Sequence, residues 1–315
     1  MASPNARSGQ VMAVVASVVA GCLVAVQSRV NGQLGVALED GALAALISFS
    51  SGFLVLALAM VFSAGARHGL HIVIRSVRSG ELDFWALLGG LGGAFLVLSQ
   101  GLTAGVLGVA LFSVAVVAGQ TLGALGIDSK GLLGSPAVAP TPLRLVGAAL
   151  VLVGVIVGAQ LFSAEVSLGP GFLLPLCAGV GTGVQQALNG RVREQAGSAI
   201  AATFINFAVG TIALALATAI ISPLTGGPTS VPTEWWLYSG GFVGAIFIAI
   251  QTVTVRRIGV LGLGVSLVTG QVIASVALDW FAPVAAHPVT VATVVGALLA
   301  VAGSVMVTVG KPTRS

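Results

Sequence analysis

Side-chain amides set into long apolar stretches have one chemistry open to them: hydrogen bonding to a neighbouring helix, a solute or water. This sequence spaces them in a pattern that occurs twice. Gln27 and Asn31 stand four apart and are followed by Gly32, while Gln185 and Asn189 stand four apart and are followed by Gly190. The offset, 189 − 31 = 158, holds without a gap from Gly21/Gly179 through Ile47/Ile205 and Phe49/Phe207 to Gly52/Gly210. Further on it shortens to 251 − 100 = 151, where Gly89-Gly90 matches Gly240-Gly241 and Gln100 matches Gln251. In the same register Phe84-Trp85 matches Trp235-Trp236, Gly119-Gln120 matches Gly270-Gln271 and Asp128 matches Asp279. Gln27, Asn31, Gln100, Gln120, Gln185, Asn189, Gln251 and Gln271 are the candidate solute-binding residues.

Residues four apart on a helix point from one face. Gln27 and Asn31 share theirs with Ala20 and Ala16, which suits a cavity wall or tight packing. The competing role is interhelical locking, worth ~0.6 kcal/mol per hydrogen bond in a membrane. Charges are scarcer. Asp128 and Asp279 close apolar stretches, where the helix dipole disfavours an acid, so another group has to hold each. Lys130 and neighbouring arginines are within reach of Asp128, and Arg29 is the base on the side of Asp279. Arg29 stands about 200° around its helix from Gln27, off the amide face. Its stem can carry the guanidinium to lipid headgroups, or it can pair with Asp279 at a gate. Arg29, Asp128 and Asp279 are the candidate gate residues. The sequence holds no nucleophile–base pair, phosphate-cradling loop or metal-ligand cluster, so neither catalysis nor a cofactor is expected.

The elements that position these groups follow from composition. Hydrophobic residues make up 57 % of the chain, charged residues 7 %, and the mean hydropathy is +1.09. Soluble domains are roughly a quarter charged, so the chain is an all-α integral membrane protein with the lipid bilayer as its medium. Its 44 glycines suit close helix packing in lipid. The net charge of +4 is scattered between apolar stretches rather than gathered in a stripe, which excludes nucleic acid as a partner. Stretches near the ~20 residues needed to cross hydrocarbon fall at 10–34, 42–64, 84–103, 105–127, 143–163, 170–190, 198–221, 235–255, 258–279 and 288–310. The uncharged run from Phe84 to Ile127 is too long for one span and is divided at Thr103-Ala104-Gly105. A cleaved, lipidated leader ending before Cys22 would discard half a helix whose counterpart near Pro170 is internal, so the first span is read as retained.

Ten spans put both termini on one side. Arg7, Arg67, Arg75, Arg78, Lys130, Arg144, Arg191, Arg193, Arg256, Arg257, Lys311 and Arg314 lie on that side and Arg29 on the other. The positive-inside rule makes both termini cytoplasmic and the site the plasma (inner) membrane. Each half, 1–165 and 166–315, holds five spans, an odd number, so the second enters the membrane in the opposite sense: two inverted five-helix repeats. Helix direction then places Gln27, Asn31, Gln100 and Gln271 towards the outer side, and Gln120, Gln185, Asn189 and Gln251 towards the inner side.

Other features receive plainer readings. His68 and His71 lack a third ligand and are expected on a solvated or headgroup-facing loop over 64–83. Cys22 and Cys177 are expected to be buried, inert thiols. Phe49, Phe207, Trp85 and Trp236 are expected to serve packing and interfaces, and Gly89/Gly93 with Gly240/Gly244 to let neighbouring helices approach.

At the paired motifs the chain resembles the YdcZ-like branch of the drug/metabolite transporter superfamily. The resemblance rests on Gln27-x-x-x-Asn31, Ile47-Ser48-Phe49-x-x-Gly52 and Gly119-Gln120 leading to Asp128. The second half repeats it in Gln185-x-x-x-Asn189, Ile205-Asn206-Phe207-x-x-Gly210 and Gly270-Gln271 leading to Asp279. It covers roughly residues 10–310, in the fused ten-helix form. It implies an alternating-access carrier with a cavity walled by the first, third and fourth helices of each half. Small multidrug exporters of that superfamily carry a glutamate in the first helix, whereas residues 10–34 here hold no acid. The expectation is a secondary transporter for a small neutral or weakly charged solute, with a lipid flippase or scramblase and a non-transporting scaffold as alternatives.

Overall fold

The structure, a computed structural model, describes residues 4–134, 139–159, 170–283 and 288–309. These form α1 (Pro4–Leu38), α2 (Gly41–Phe62), α3 (Ala64–Ser79), α4 (Gly90–Ser99), α5 (Gly105–Leu107) and α6 (Val109–Lys130). They continue with α7 (Pro142–Gly158), α8 (Leu173–Ala196), α9 (Ala199–Thr225), α10 (Gly240–Phe281) and α11 (Val291–Val309). Among the described residues there is no strand, and seven helices are long and apolar enough to cross a membrane. Pro142–Gly158 and Gly240–Gln251 are shorter apolar helices.

Local signals set the helix ends. Asp40 accepts the Leu43 N–H at 2.9 Å to begin α2, and its repeat partner Ser198 accepts the Ala201 N–H at 3.3 Å to begin α9. Such caps satisfy N–H groups that a helix start leaves orphaned. Thr141 caps α7 ahead of Pro142, which suits a first helical position. Segment 64–83 is not the expected loop, because Ser63 caps α3 and Gly80 ends it in a left-handed conformation. Ala66, Gly69, Val73 and Ser76 of α3 turn towards the protein while Arg67, His68, His71, Arg75 and Arg78 are exposed.

Two boundaries differ from the sequence reading. The expected division at Thr103-Ala104-Gly105 falls at Gly108 instead, after a π-helical turn over Gln100–Ala104. Gly108 has a φ of 81°, open to glycine at little cost. The stretches 235–255 and 258–279 join in one helical assignment, α10. A straight helix would place Gly240 and Asp279 about 58 Å apart at ~1.5 Å per residue. Both lie against the same part of α1, Gly240 at Gln27 and Asp279 at Arg29, so α10 folds back on itself.

Glycine crossings bind the helices in pairs. A Cβ on Gly21 would strike the Leu267 carbonyl, and one on Gly270 the Val18 carbonyl, fixing α1 against the second limb of α10. Their repeat partners do the same elsewhere: Gly179 meets the Val116 carbonyl and Gly119 the Leu176 carbonyl, fixing α8 against α6. α7 and α11 cross at Gly147 with Gly303 and at Gly154 with Gly296. Between α2 and α9 the Phe49 and Phe207 rings stack at 4.5 Å, with Gly52 under one and Gly210 under the other. α6 lies innermost, buried at every position from Val109 to Gly119.

Candidate functional site

α1 carries Gln27 and Asn31 towards the end of the molecule marked by Arg29, and α8 carries Gln185 and Asn189 towards the opposite end, marked by Arg193. Each amide pair lies against two glycines four residues apart. A Cβ on Gly244 would lie 2.6 Å from Gln27 Nε2, and one on Gly240 would strike Asn31 Oδ1. In the repeat, a Cβ on Gly93 would lie 2.5 Å from Gln185 Nε2, and one on Gly89 2.6 Å from Asn189 Oδ1. The glycines at small-xxx-small spacing thus seat the amides.

The hydrogen bonds differ between the two copies. Gln27 Nε2 donates to the Gly240 carbonyl at 2.9 Å, and Asn31 Nδ2 to Gln100 Oε1 at 2.7 Å. Gln100 Nε2 passes on to Ser28 Oγ at 3.0 Å. Asn31, Gln100 and Ser28 are fully buried, yet Asn31 Oδ1 and the nearby Ser48 hydroxyl have no hydrogen-bond partner. At the other end Gln185 Nε2 and Asn189 Nδ2 both donate to Asn206 Oδ1 at 3.0 Å. Gln185 and Asn189 are half-buried there. Gln120 and Gln251 are half-buried as well, and Gln271 is buried. The backbone of Gln271 lies at the Gly21 crossing and that of Gln120 at the Gly179 crossing.

The packing differs more than the amides do. At the Arg29 end, α1 and the start of α2 close on the segment after α4: a Cβ on Gly32 would lie 2.5 Å from the Gly105 nitrogen, and one on Gly41 2.7 Å from the Gly101 oxygen. Gly35 also meets the Gly101 carbonyl. This is a seam of backbone against backbone. The repeat partners of Gly32, Gly35 and Gly41 are Gly190, Arg193 and Ala199. These three, with Glu194 and Gly197, line a shallow, open cleft of about 400 Å³ at the turn between α8 and α9, and a Cβ on Gly190 would meet none of the described residues within 4 Å; the side chains of Thr252 and Arg256, the repeat partners of Gly101 and Gly105, lie outside the described residues.

The charged residues hold the closed end. Arg29 Nη1 lies 3.0 Å from Asp279 Oδ1, with the two side chains 11 % and 3 % exposed, and Arg29 Nη2 donates to the Ala282 carbonyl. Arg29 therefore does not extend to headgroups. Asp279 Oδ2 also accepts the Ala110 N–H at 2.7 Å across the seam. Gly108 makes room, since a Cβ there would lie 2.8 Å from that oxygen. A carboxylate at the start of α6 is held by the orphaned N–H groups and the helix dipole. Asp128 lies 2.8 Å from Arg144, whose side chain is 2 % exposed. Asp83 and Trp85 flank Arg191, at 3.1 Å and at 4.6 Å from the ring centroid.

Ser28, Ser48, Asn206 and the seam glycines join the site although the sequence reading did not choose them. Asn206 was findable: it is a polar residue in an apolar run at the repeat position of Ser48. Cys22 is half-buried with its Sγ 3.5 Å from the Gly270 carbonyl, whereas Cys177 is exposed, against expectation, on the outer surface of α8. Among the described residues no three His, Cys, Asp or Glu side chains gather to hold a metal.

Apolar helices that cross at glycines, with amides and buried ion pairs between them, define a multi-pass membrane protein. The comparisons narrow that class. The model of the family described as "Putative inner membrane exporter, YdcZ" matches residues 12–157 and again 170–306, and the chain belongs to that family. A solved structure described only as "Crystal structure of protein" shares the fold, with a TM-score of 0.52 at 18 % identity over 96 % of this chain and 97 % of that one. No curated protein matches the sequence.

Proposed function

We propose that this protein is a secondary transporter that moves a small neutral or weakly charged organic solute across the inner membrane by alternating access. Its two five-helix halves, 1–165 and 166–315, are inverted with respect to each other, giving ten spans and cytoplasmic termini. The fold-back of α10 supplies the eighth and ninth spans. The paired crossings at Gly21/Gly270 and Gly179/Gly119 support the inverted repeat, because repeat partners make the same contacts in different helix pairs.

One observation supports the reading: among the described residues, repeat partners on α1 and α8 are packed differently. Gly32 is packed against Gly105, and Gly190 stands over an open cleft. With cytoplasmic termini the cleft faces inward and the Arg29 end is the closed outer gate. A scaffold would have amide locks at both ends and no reason to leave one seam apart. The bound solute would meet Gln185, Asn189, Gln120 and Gln251 on the open side, and Asn31, whose free carbonyl oxygen is the uncommitted acceptor on the closed side. A cavity of neutral amides selects by shape and a few hydrogen bonds.

The test is a screen for solutes that raise the thermal stability of the purified protein, followed by uptake of each hit into proteoliposomes. The expected result is a saturable uptake that Asn31→Ala and Asn189→Ala both weaken. Hits that bind without crossing the membrane count against transport, and a response unchanged in both variants removes those residues from the site.

A further inference from the structure

The two copies of the amide motif use different acceptors, and the difference traces to one pair of repeat partners. At the Arg29 end a chain of two hydrogen bonds crosses the closed seam, from Asn31 to Gln100 and from Gln100 to Ser28. The repeat partners of these residues are Asn189, Gln251 and Gln186. At the Arg193 end that chain is not made: Asn189 gives its amide to Asn206, Gln186 is exposed and Gln251 is half-buried. Asn206 stands at the repeat position of Ser48, whose hydroxyl takes nothing from Gln27 or Asn31. An amide oxygen offers two lone pairs, and Asn206 Oδ1 fills both, with Gln185 and Asn189 at 3.0 Å each.

We propose that Asn206 is a parking acceptor, a positioning residue outside the solute-contacting set. It holds the amides of Gln185 and Asn189 while the Arg193 end stands open. When that end closes, Asn189 passes its amide to Gln251, and Gln251 bonds to Gln186, rebuilding at this end the lock now seen at the other. The proposal rests on the alternating-access reading. Its physical content is a trade: the bond Asn189 gives up at Asn206 is replaced by one of the same kind at Gln251, so neither state is a deep trap. Ser48 offers no such parking place, so the outer end has less to hold it open, in keeping with its closed seam here.

The test uses the full chain with Cys22→Ser and Cys177→Ser and one cysteine reporter at a time. Gly190→Cys reports the cleft, where an added side chain meets none of the described residues within 4 Å. Ser99→Cys reports the closed end, because Ser99 is fully buried beside Gln100 with an unpartnered hydroxyl. Labelling rates with a membrane-impermeant maleimide are compared in detergent. Asn206→Ser is expected to slow labelling at Gly190→Cys and speed it at Ser99→Cys by about three- to tenfold, the weight of one to two membrane hydrogen bonds. Asn206→Ala should act in the same direction and guards against an effect peculiar to serine. Gln251→Leu should act oppositely, and Asn206→Ser with Gln251→Leu should return towards the parent. If the two reporters respond reciprocally to Gln100→Leu but to neither Asn206 variant, exchange of ends stands and the parking role falls. If Ser99→Cys stays unlabelled in every variant, the alternating-access reading falls with it.

Discussion

Gly32 and Gly190 are the same residue of a repeated segment, yet a Cβ on the first would lie 2.5 Å from the Gly105 nitrogen while a Cβ on the second would meet none of the described residues within 4 Å. The clash at Gly32 is with backbone, which cannot swing aside as a flexible side chain can. Gly32→Ala is therefore expected to cost about 1–3 kcal/mol as overpacking and to push the Arg29 end open. Gly190→Ala should change stability by less than about 0.5 kcal/mol. Thermal unfolding in detergent checks both, and equal losses at the two glycines would refute the difference between the seams.

The Arg29–Asp279 pair makes a second prediction. Removing one partner leaves the other charge buried, which typically costs about 3–5 kcal/mol, more than the pair itself contributes. Asp279→Asn should be strongly destabilising, and Arg29→Gln combined with Asp279→Asn less so than the single changes added together. A double-mutant cycle on unfolding measures the coupling. A coupling energy near zero would mean that the 3.0 Å contact does not hold the two helices.

This pair was legible in the sequence because charge was scarce: Asp279 had one base on its side. The all-helical, membrane-spanning character and the pairing of motifs were legible for the same kind of reason, since hydropathy and periodicity are local. The break before α6 was not. Gly101, Gly105 and Gly108 are all able to turn the chain, and the choice among them is tertiary: Gly101 and Gly105 are occupied by contacts with Gly41 and Gly32. That leaves Gly108 for the turn, where it also admits Asp279. The amide partners were hidden too, because Gln27 and Asn31 find theirs on other helices, one of them a backbone carbonyl that no side-chain pattern announces.

Phe49 and Phe207 stack at 4.5 Å between α2 and α9, each 5 % exposed or less, each with its edge on the other's glycine neighbour. Phe49→Ala is expected to cost about 3–5 kcal/mol through lost contact and the cavity left behind, and Phe49→Leu considerably less. Gly52→Ala should also be costly, because its Cβ would lie 2.5 Å from the Phe207 ring. If Phe49→Ala left unfolding unchanged but abolished solute-induced stabilisation, the rings would be ligand contacts rather than packing.

The crossing of α7 and α11 tests which part of the molecule moves under the alternating-access proposal. These helices meet backbone to backbone at Gly147 with Gly303 and at Gly154 with Gly296, with Thr293, Ala297 and Ala300 buried along the same face. Among the described residues no side-chain amide lies at these glycines to exchange partners, so under the alternating-access proposal the pair would be a fixed joint between the halves. A Cβ on Gly154 would lie 2.7 Å from the Gly296 oxygen, whereas one on Gly158, a turn later, has 3.6 Å to the nearest atom. Gly154→Ala should therefore lower stability by about 1–3 kcal/mol and Gly158→Ala by little. Neither should alter the ratio of cysteine labelling at the two ends, because a joint that loosens equally in both states shifts no equilibrium between them. A Gly154→Ala protein whose labelling ratio moved as far as that of Gly32→Ala would show that this crossing is itself part of the moving seam.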